Sequence, residues 1–317
     1  MNTEDTIRQR KASIFITSSL CVIIYVCLCL LIAFVGTIDV SEYKPADCIA
    51  TNTCFCEALR DIGTIRQPVS TWTNLFFTFY GLVEVVFISW HAPEGYKSLV
   101  IYALAQILHG LFSALYHETM IFSGQVIDNI GMYLTVGWLP SYCVERSLRM
   151  TLPLSMRYRE VVIACVFWCI YMSIIAAGTI VNIWISWLGL VTFALTIAAA
   201  LIIGPISDYK ALFLDKVFQK ISPNYKNPNL YSNRYKWMMP AAIVCFAIAF
   251  TFWLLDFFHV WCDPYGFYQG HGVWHALASS ALFIMFLCYY TENFVTRQES
   301  TNKIPADDQT EQGLMSM

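Results

Sequence analysis

Charge is what this sequence has least of. Asp, Glu, Lys and Arg together make up 13% of its 317 residues, about half the share found in an average soluble domain. A chain of this length could fold as two soluble domains, but it has too little polar material to cover them. Basic residues are not in excess either. The 19 Lys and Arg against 22 Asp and Glu leave a net charge of −3, which excludes a basic face for nucleic acid. No period of about 20–50 residues repeats along the chain, so a solenoid is not supported. Strand-like alternation is missing from the apolar runs, which argues against a barrel. What is abundant is apolar surface: 57% of residues are hydrophobic and 16% aromatic. Eight of the twelve cysteines lie inside apolar runs, where Cys behaves as a small hydrophobe. The chain reads as a polytopic membrane protein.

A spanning helix needs about 20 mostly apolar residues. Eight segments qualify: 13–36, 69–90, 98–117, 121–143, 160–178, 180–206, 237–258 and 271–290. The first has 24 residues without a charge and follows Arg8, Arg10 and Lys11. That exceeds the roughly 7–15 apolar residues of a signal peptide, so a retained anchor is expected. With the N-terminus in the cytosol, sixteen Lys and Arg fall on the cytosolic side. Only Lys44, Arg60 and Arg66 fall on the other. Basic residues mark the cytosolic loops, so both termini are expected in the cytosol. Cys48, Cys54, Cys56 and Cys262 then share the opposite compartment, where disulfides can form. Four cysteines allow three pairings, and sequence does not choose among them.

Ionisable residues inside spans are costly and mark function or a buried pair. Here they are Glu84, His109, His117, Asp128, Asp256, His271 and His275. All but Glu84 and His109 fall at the non-cytosolic ends of their helices, so four spans send polar groups to one level. His271 and His275 are i and i+4 and project from one helical face. A neutral imidazole pair at that spacing can bind one metal, although two interfacial histidines would look the same. Ser113 and His117 have the same spacing, and Asp128 lies on the next span and needs a cation or a proton. Three protein ligands with an open fourth position is the pattern of catalytic zinc, whereas iron is more often held by two His and a carboxylate. His109 is expected in a buried hydrogen-bonding role. Glu84 is expected to pair with another buried polar group. Asp256 is either a partner orienting a zinc histidine or an interfacial residue.

Ser113-x-x-x-His117, Asp128 after a Gln at −3, and Gly270-His271-x-x-Trp274-His275 resemble the alkaline ceramidases. They also resemble the wider superfamily of seven-span membrane hydrolases with one Ser, one Asp and three His, which includes progestin/adiponectin-type receptors and Per1. The likeness covers roughly residues 50–290. It implies an all-α helix bundle, a seven-span hydrolase core plus an extra N-terminal span, about eight spans in all. The expected organisation is an N-tail and anchor over 1–36, a lumenal Cys-containing segment over 37–68, the core over 69–290 and a disordered cytosolic tail over 291–317. The expected location is the endoplasmic reticulum or Golgi membrane, with the site towards the lumen.

The resemblance implies a ceramide-like lipid as substrate and a sphingoid base plus fatty acid as products. In that scheme His117, His271 and His275 hold Zn2+, Asp128 moves the proton, and Ser113 meets the oxyanion or orients the lipid. Similar ceramidases also hold Ca2+ through an Asp-Trp-Cys-Glu-x-Asn segment. The matching stretch here is Cys54-Phe55-Cys56-Glu57-Ala58-Leu59. Glu57 is kept as a calcium-ligand candidate, but Cys54 and Leu59 supply no oxygen, and calcium favours oxygen ligands. Asp47 and Asp61 are the available substitutes. A lipid esterase, a GPI-remodelling hydrolase and a receptor with structural zinc would share much of this pattern.

Overall fold

The computed structural model describes residues 3–52, 54–91, 96–151 and 235–302. Among these the chain is all helical. Its elements are α1 (Thr3–Val35), the short α2 (Asp47–Thr51), α3 (Pro68–His91), α4 (Tyr96–Thr119), α5 (Phe122–Thr151), α6 (Tyr235–Phe257) and α7 (Gly270–Asn302). Five helices are long and apolar enough to cross a membrane, over Ala12–Val35, Pro68–Trp90, Leu99–Thr119, Pro240–Phe257 and Gly270–Thr291. The chain is therefore a polytopic helical membrane protein. α5 covers the expected span 121–143 but is more polar, with Gln125, Asp128 and Asn129 in its first turns. The expected spans 160–178 and 180–206 lie outside the described residues.

Pro68 opens α3 at the first helical position, where its missing N–H costs nothing. α3 packs on α4 and α7, α4 on α5, and α6 on α7. Gly110 lets α3 and α4 approach, since a side chain there would strike Thr78. Small residues at such crossings let helix backbones come close in a membrane. Below the site the bundle is filled by Phe77, Tyr102, Trp138, Phe286 and Tyr289, with the Tyr102 hydroxyl donating to the Leu282 carbonyl at 2.8 Å. α1 lies outside this core and touches it through Ile32, which meets Leu75 and Ala114.

The first and last described helices extend beyond their apolar cores. Helix α1 starts at Thr3, and α7 runs on to Asn302. Residues 291–302 thus continue α7 as helix. No Gly or Pro interrupts them, so nothing breaks the helix that the membrane span has already nucleated.

The segment between α1 and α3 folds over the site end of the bundle. It is pinned to the α4–α5 turn by Ala46 N–H to the Met120 carbonyl (2.9 Å) and Phe122 N–H to the Lys44 carbonyl (2.8 Å). Two disulfides resolve the open pairing, Cys48–Cys54 and Cys56–Cys262.

Candidate metal centre

Met120 takes a left-handed backbone (φ 52°) and turns α4 into α5. Ser113 lies seven residues before that turn and Asp128 seven after Ile121. At 1.5 Å per residue both stand about 10 Å from it, on the same level. The two side chains interact, the serine hydroxyl being the available donor and the carboxylate the acceptor. His117 is one turn above Ser113, in the last turn of α4.

His271 and His275 come from the first two turns of α7. Gly270 starts that helix against α6, and a Cβ there would sit 2.9 Å from the Asp256 Cβ. The Asp256 carboxylate accepts from His271 N–H at 2.9 Å and from Cys56 N–H at 2.8 Å. A carboxylate at a helix N-terminus satisfies free N–H groups and complements the dipole. Asp256 therefore positions the histidine helix through its backbone rather than through an imidazole ring.

The three histidines converge. His117, His271 and His275 are all buried, and each offers one ring nitrogen within 4.8 Å of the others. Among the described residues this is the group able to hold a metal, and the carboxylate of Asp128 is outside it. The polar neighbours set the tautomers. Thr73 Oγ1 spends its proton on the Val69 carbonyl at 2.7 Å. It can only accept from His275 Nδ1, 3.1 Å away. Gln67 Nε2 donates to the Glu57 carbonyl at 3.1 Å, which turns Gln67 Oε1 towards His117 Nδ1 at 2.7 Å. Both Nδ1 atoms thus carry protons, which leaves the lone pair on each Nε2. His117 Nε2 and His271 Nε2 are 3.2 Å apart. Two nitrogens bound to one tetrahedral zinc at 2.0–2.1 Å would be about 3.3 Å apart. The donor set fits such an ion. Phe55 closes the site from above, stacked on the His271 ring with centroids 3.6 Å apart.

Calcium does not fit in the same way. Glu57 Oε1 accepts from Val69 N–H at 2.7 Å, and Oε2 accepts from Ser70 N–H at 2.9 Å and Ser70 Oγ–H at 2.7 Å. The carboxylate is committed to the start of α3. Cys54 is in a disulfide, Leu59 has no side-chain oxygen, and Asp61 is exposed. Glu57 is a helix cap here, and burial pushes its carboxyl above the usual range despite the hydrogen bonds from Ser70 and Val69.

The other polar residues divide. His109 is buried and tilted over Phe77 at 4.3 Å, and its Nδ1 has no hydrogen-bond partner among the described residues. The same is true of both Glu84 oxygens, so the pairing expected for Glu84 is not seen there. Sequence reasoning passed over Gln67 and Thr73. Their signal was faint: two uncharged polar residues at the start of a span, where capping groups are common.

A family model described as ceramidase matches residues 55–307. The chain belongs to the ceramidase family. The match opens at Phe55, the residue stacked on His271, and leaves α1 outside. Membership implies a hydrolase acting on an amide bond of a lipid. No curated protein matches the chain.

Proposed function

We propose that this protein is a zinc-dependent intramembrane amidase that cleaves ceramide-type N-acyl sphingoid bases into sphingoid base and fatty acid. The observation that carries this reading is the division of the site. Three buried imidazoles bring one ring nitrogen each within 4.8 Å of the others, while a hydroxyl and a carboxylate outside that group interact with each other. His117, His271 and His275 would hold the ion, which when bound supplies Lewis acidity to activate water and polarise an amide carbonyl.

The chain's own residues do the rest. Asp128 accepts the proton of the attacking water and returns it to the leaving nitrogen. The Ser113 hydroxyl has one proton, and in the resting site it is given to Asp128. Once Asp128 is protonated, that hydrogen is free to turn to the developing oxyanion. Ser113 thus first orients the base and then stabilises charge, a contribution commonly worth roughly 3 kcal/mol. Gln67 and Thr73 hold two imidazoles in the ligating tautomer. Phe55 and the Trp253 and Phe257 rings around it present an apolar wall to the lipid and keep bulk water from the histidines.

We place both termini in the cytosol and the site at the lumenal side of an endoplasmic reticulum or Golgi membrane, on the Lys/Arg asymmetry. The test is fatty-acid release from an N-acyl sphingoid base by the purified protein, with and without chelator. Chelator-sensitive release supports the amidase. Release from ester lipids alone would move the chain to esterase chemistry.

A further inference from the structure

The connection between α6 and α7, residues 258–269, is short and unusually apolar for a loop. Tyr265 is 90% exposed, Phe267 79% and Tyr268 75%, with Phe258, Val260 and Trp261 also exposed. Asp263 is its one carboxylate, and it contains no Lys or Arg. The loop is not a loose coil. Cys262 is bonded to Cys56, the Pro264 carbonyl accepts from Ala58 N–H at 2.9 Å, and Gln269 Nε2 donates to the Asp263 and Gly266 carbonyls at 2.7 Å. A fixed backbone therefore holds its aromatic side chains outward.

What meets them follows from the flanks. The loop leaves one membrane span at Phe257 and returns to the next at Gly270, so it lies at the bilayer surface by connectivity. Aromatic side chains with a polar tip favour that level, and a patch of this size in water would be a liability. The same loop is tied to the site: Cys56, its disulfide partner, follows Phe55, which lies on His271.

We propose that residues 258–268 form a membrane-seated loop whose partner is the boundary between headgroups and acyl chains in the leaflet next to the site. Seated there, the loop sets the depth of the metal centre and admits a lipid sideways without its leaving the bilayer. The second half of the proposal rests on the amidase reading, and the first half does not.

Two experiments separate them. In the first, a photoreactive benzoylphenylalanine replaces Tyr265, Phe267 or Thr64 in the full chain, reconstituted in vesicles of labelled phosphatidylcholine. Thr64 is exposed on the turn after Asp61, whose carbonyl accepts from its hydroxyl at 2.7 Å. Positions 265 and 267 should take up about tenfold more lipid label than 64, as expected of aromatic side chains buried at the interface. Label at the Thr64 level, or cross-links to a second copy instead of lipid, overturns the membrane seat. In the second, Tyr265→Asn, Phe267→Asn and Tyr268→Asn are combined. Hydrolysis of vesicle-embedded substrate should show a KM raised about tenfold with kcat unchanged, while a water-dispersed short-acyl substrate is cleaved at the wild-type rate. Equal losses on both substrates overturn the access role. A wild type that cleaves neither substrate contradicts the amidase, and with it the access role, and leaves the labelling result to decide the seat.

Discussion

The first and seventh helices are alike in length, 33 residues each, and opposite in use. α1 is the more apolar, and almost none of its spanning window is buried. α7 is less apolar, more than half of its window is buried, and its first two turns carry two of the three histidines. The difference shows how a bilayer sorts helices. A segment with nothing polar to satisfy can face lipid all round, while one with imidazoles must turn them to partners inside the bundle. Long apolar runs therefore locate the membrane, and the exceptions to them locate the site.

That contrast can be broken by experiment. The largest effect should come from Asp128→Asn, which keeps size but cannot take the proton. Turnover on an N-acyl sphingoid base should fall roughly 10²–10⁴-fold with metal content unchanged. Ser113→Ala should lower turnover roughly 10²-fold. Because the two side chains interact, the double variant should be little worse than Asp128→Asn alone, and additive losses would show that they act separately. Gln67→Ala removes the acceptor at His117 Nδ1, and a titration with competing chelator should find metal affinity about 10–100-fold weaker.

A smaller effect concerns pH. Glu57 lies outside the spans, and its carboxyl is raised by burial. A raised acid binds more protons folded than unfolded, so its contribution to stability is present at low pH and is lost as pH rises through and above the ordinary carboxylate range. Thermal denaturation in detergent should show that downward trend in the wild type and a flatter one in Glu57→Gln. The smallest effect is expected from removing residues 1–36. α1 meets the core chiefly around Ile32, so metal content should not change, and loss of the metal would erase the contrast between the two helices.

Much of the site was legible because membrane sequences make ionisable residues conspicuous. His117, His271 and His275 stood out in apolar runs, and the i, i+4 spacings placed them on shared faces. Ser113 and Asp128 were brought level by equal distances from one turn. Gln67 and Thr73 were not legible, because an uncharged polar residue near a helix start has an ordinary explanation. Asp256 was visible as an anomaly, but its use needed the fold: it caps a helix that begins fourteen residues later in the chain. Glu57 was visible as a calcium candidate, but its capping of α3 needed the fold.

Metal content tests the central claim most directly. Purified wild type and the His117→Ala, His271→Ala and His275→Ala variants would be compared by elemental analysis after dialysis against metal-free buffer. The convergence of three buried histidine nitrogens within 4.8 Å of one another predicts one zinc per chain in the wild type and little or none in each variant, because each residue supplies a third of the ligand set. A full equivalent of zinc in the His275→Ala protein would contradict it.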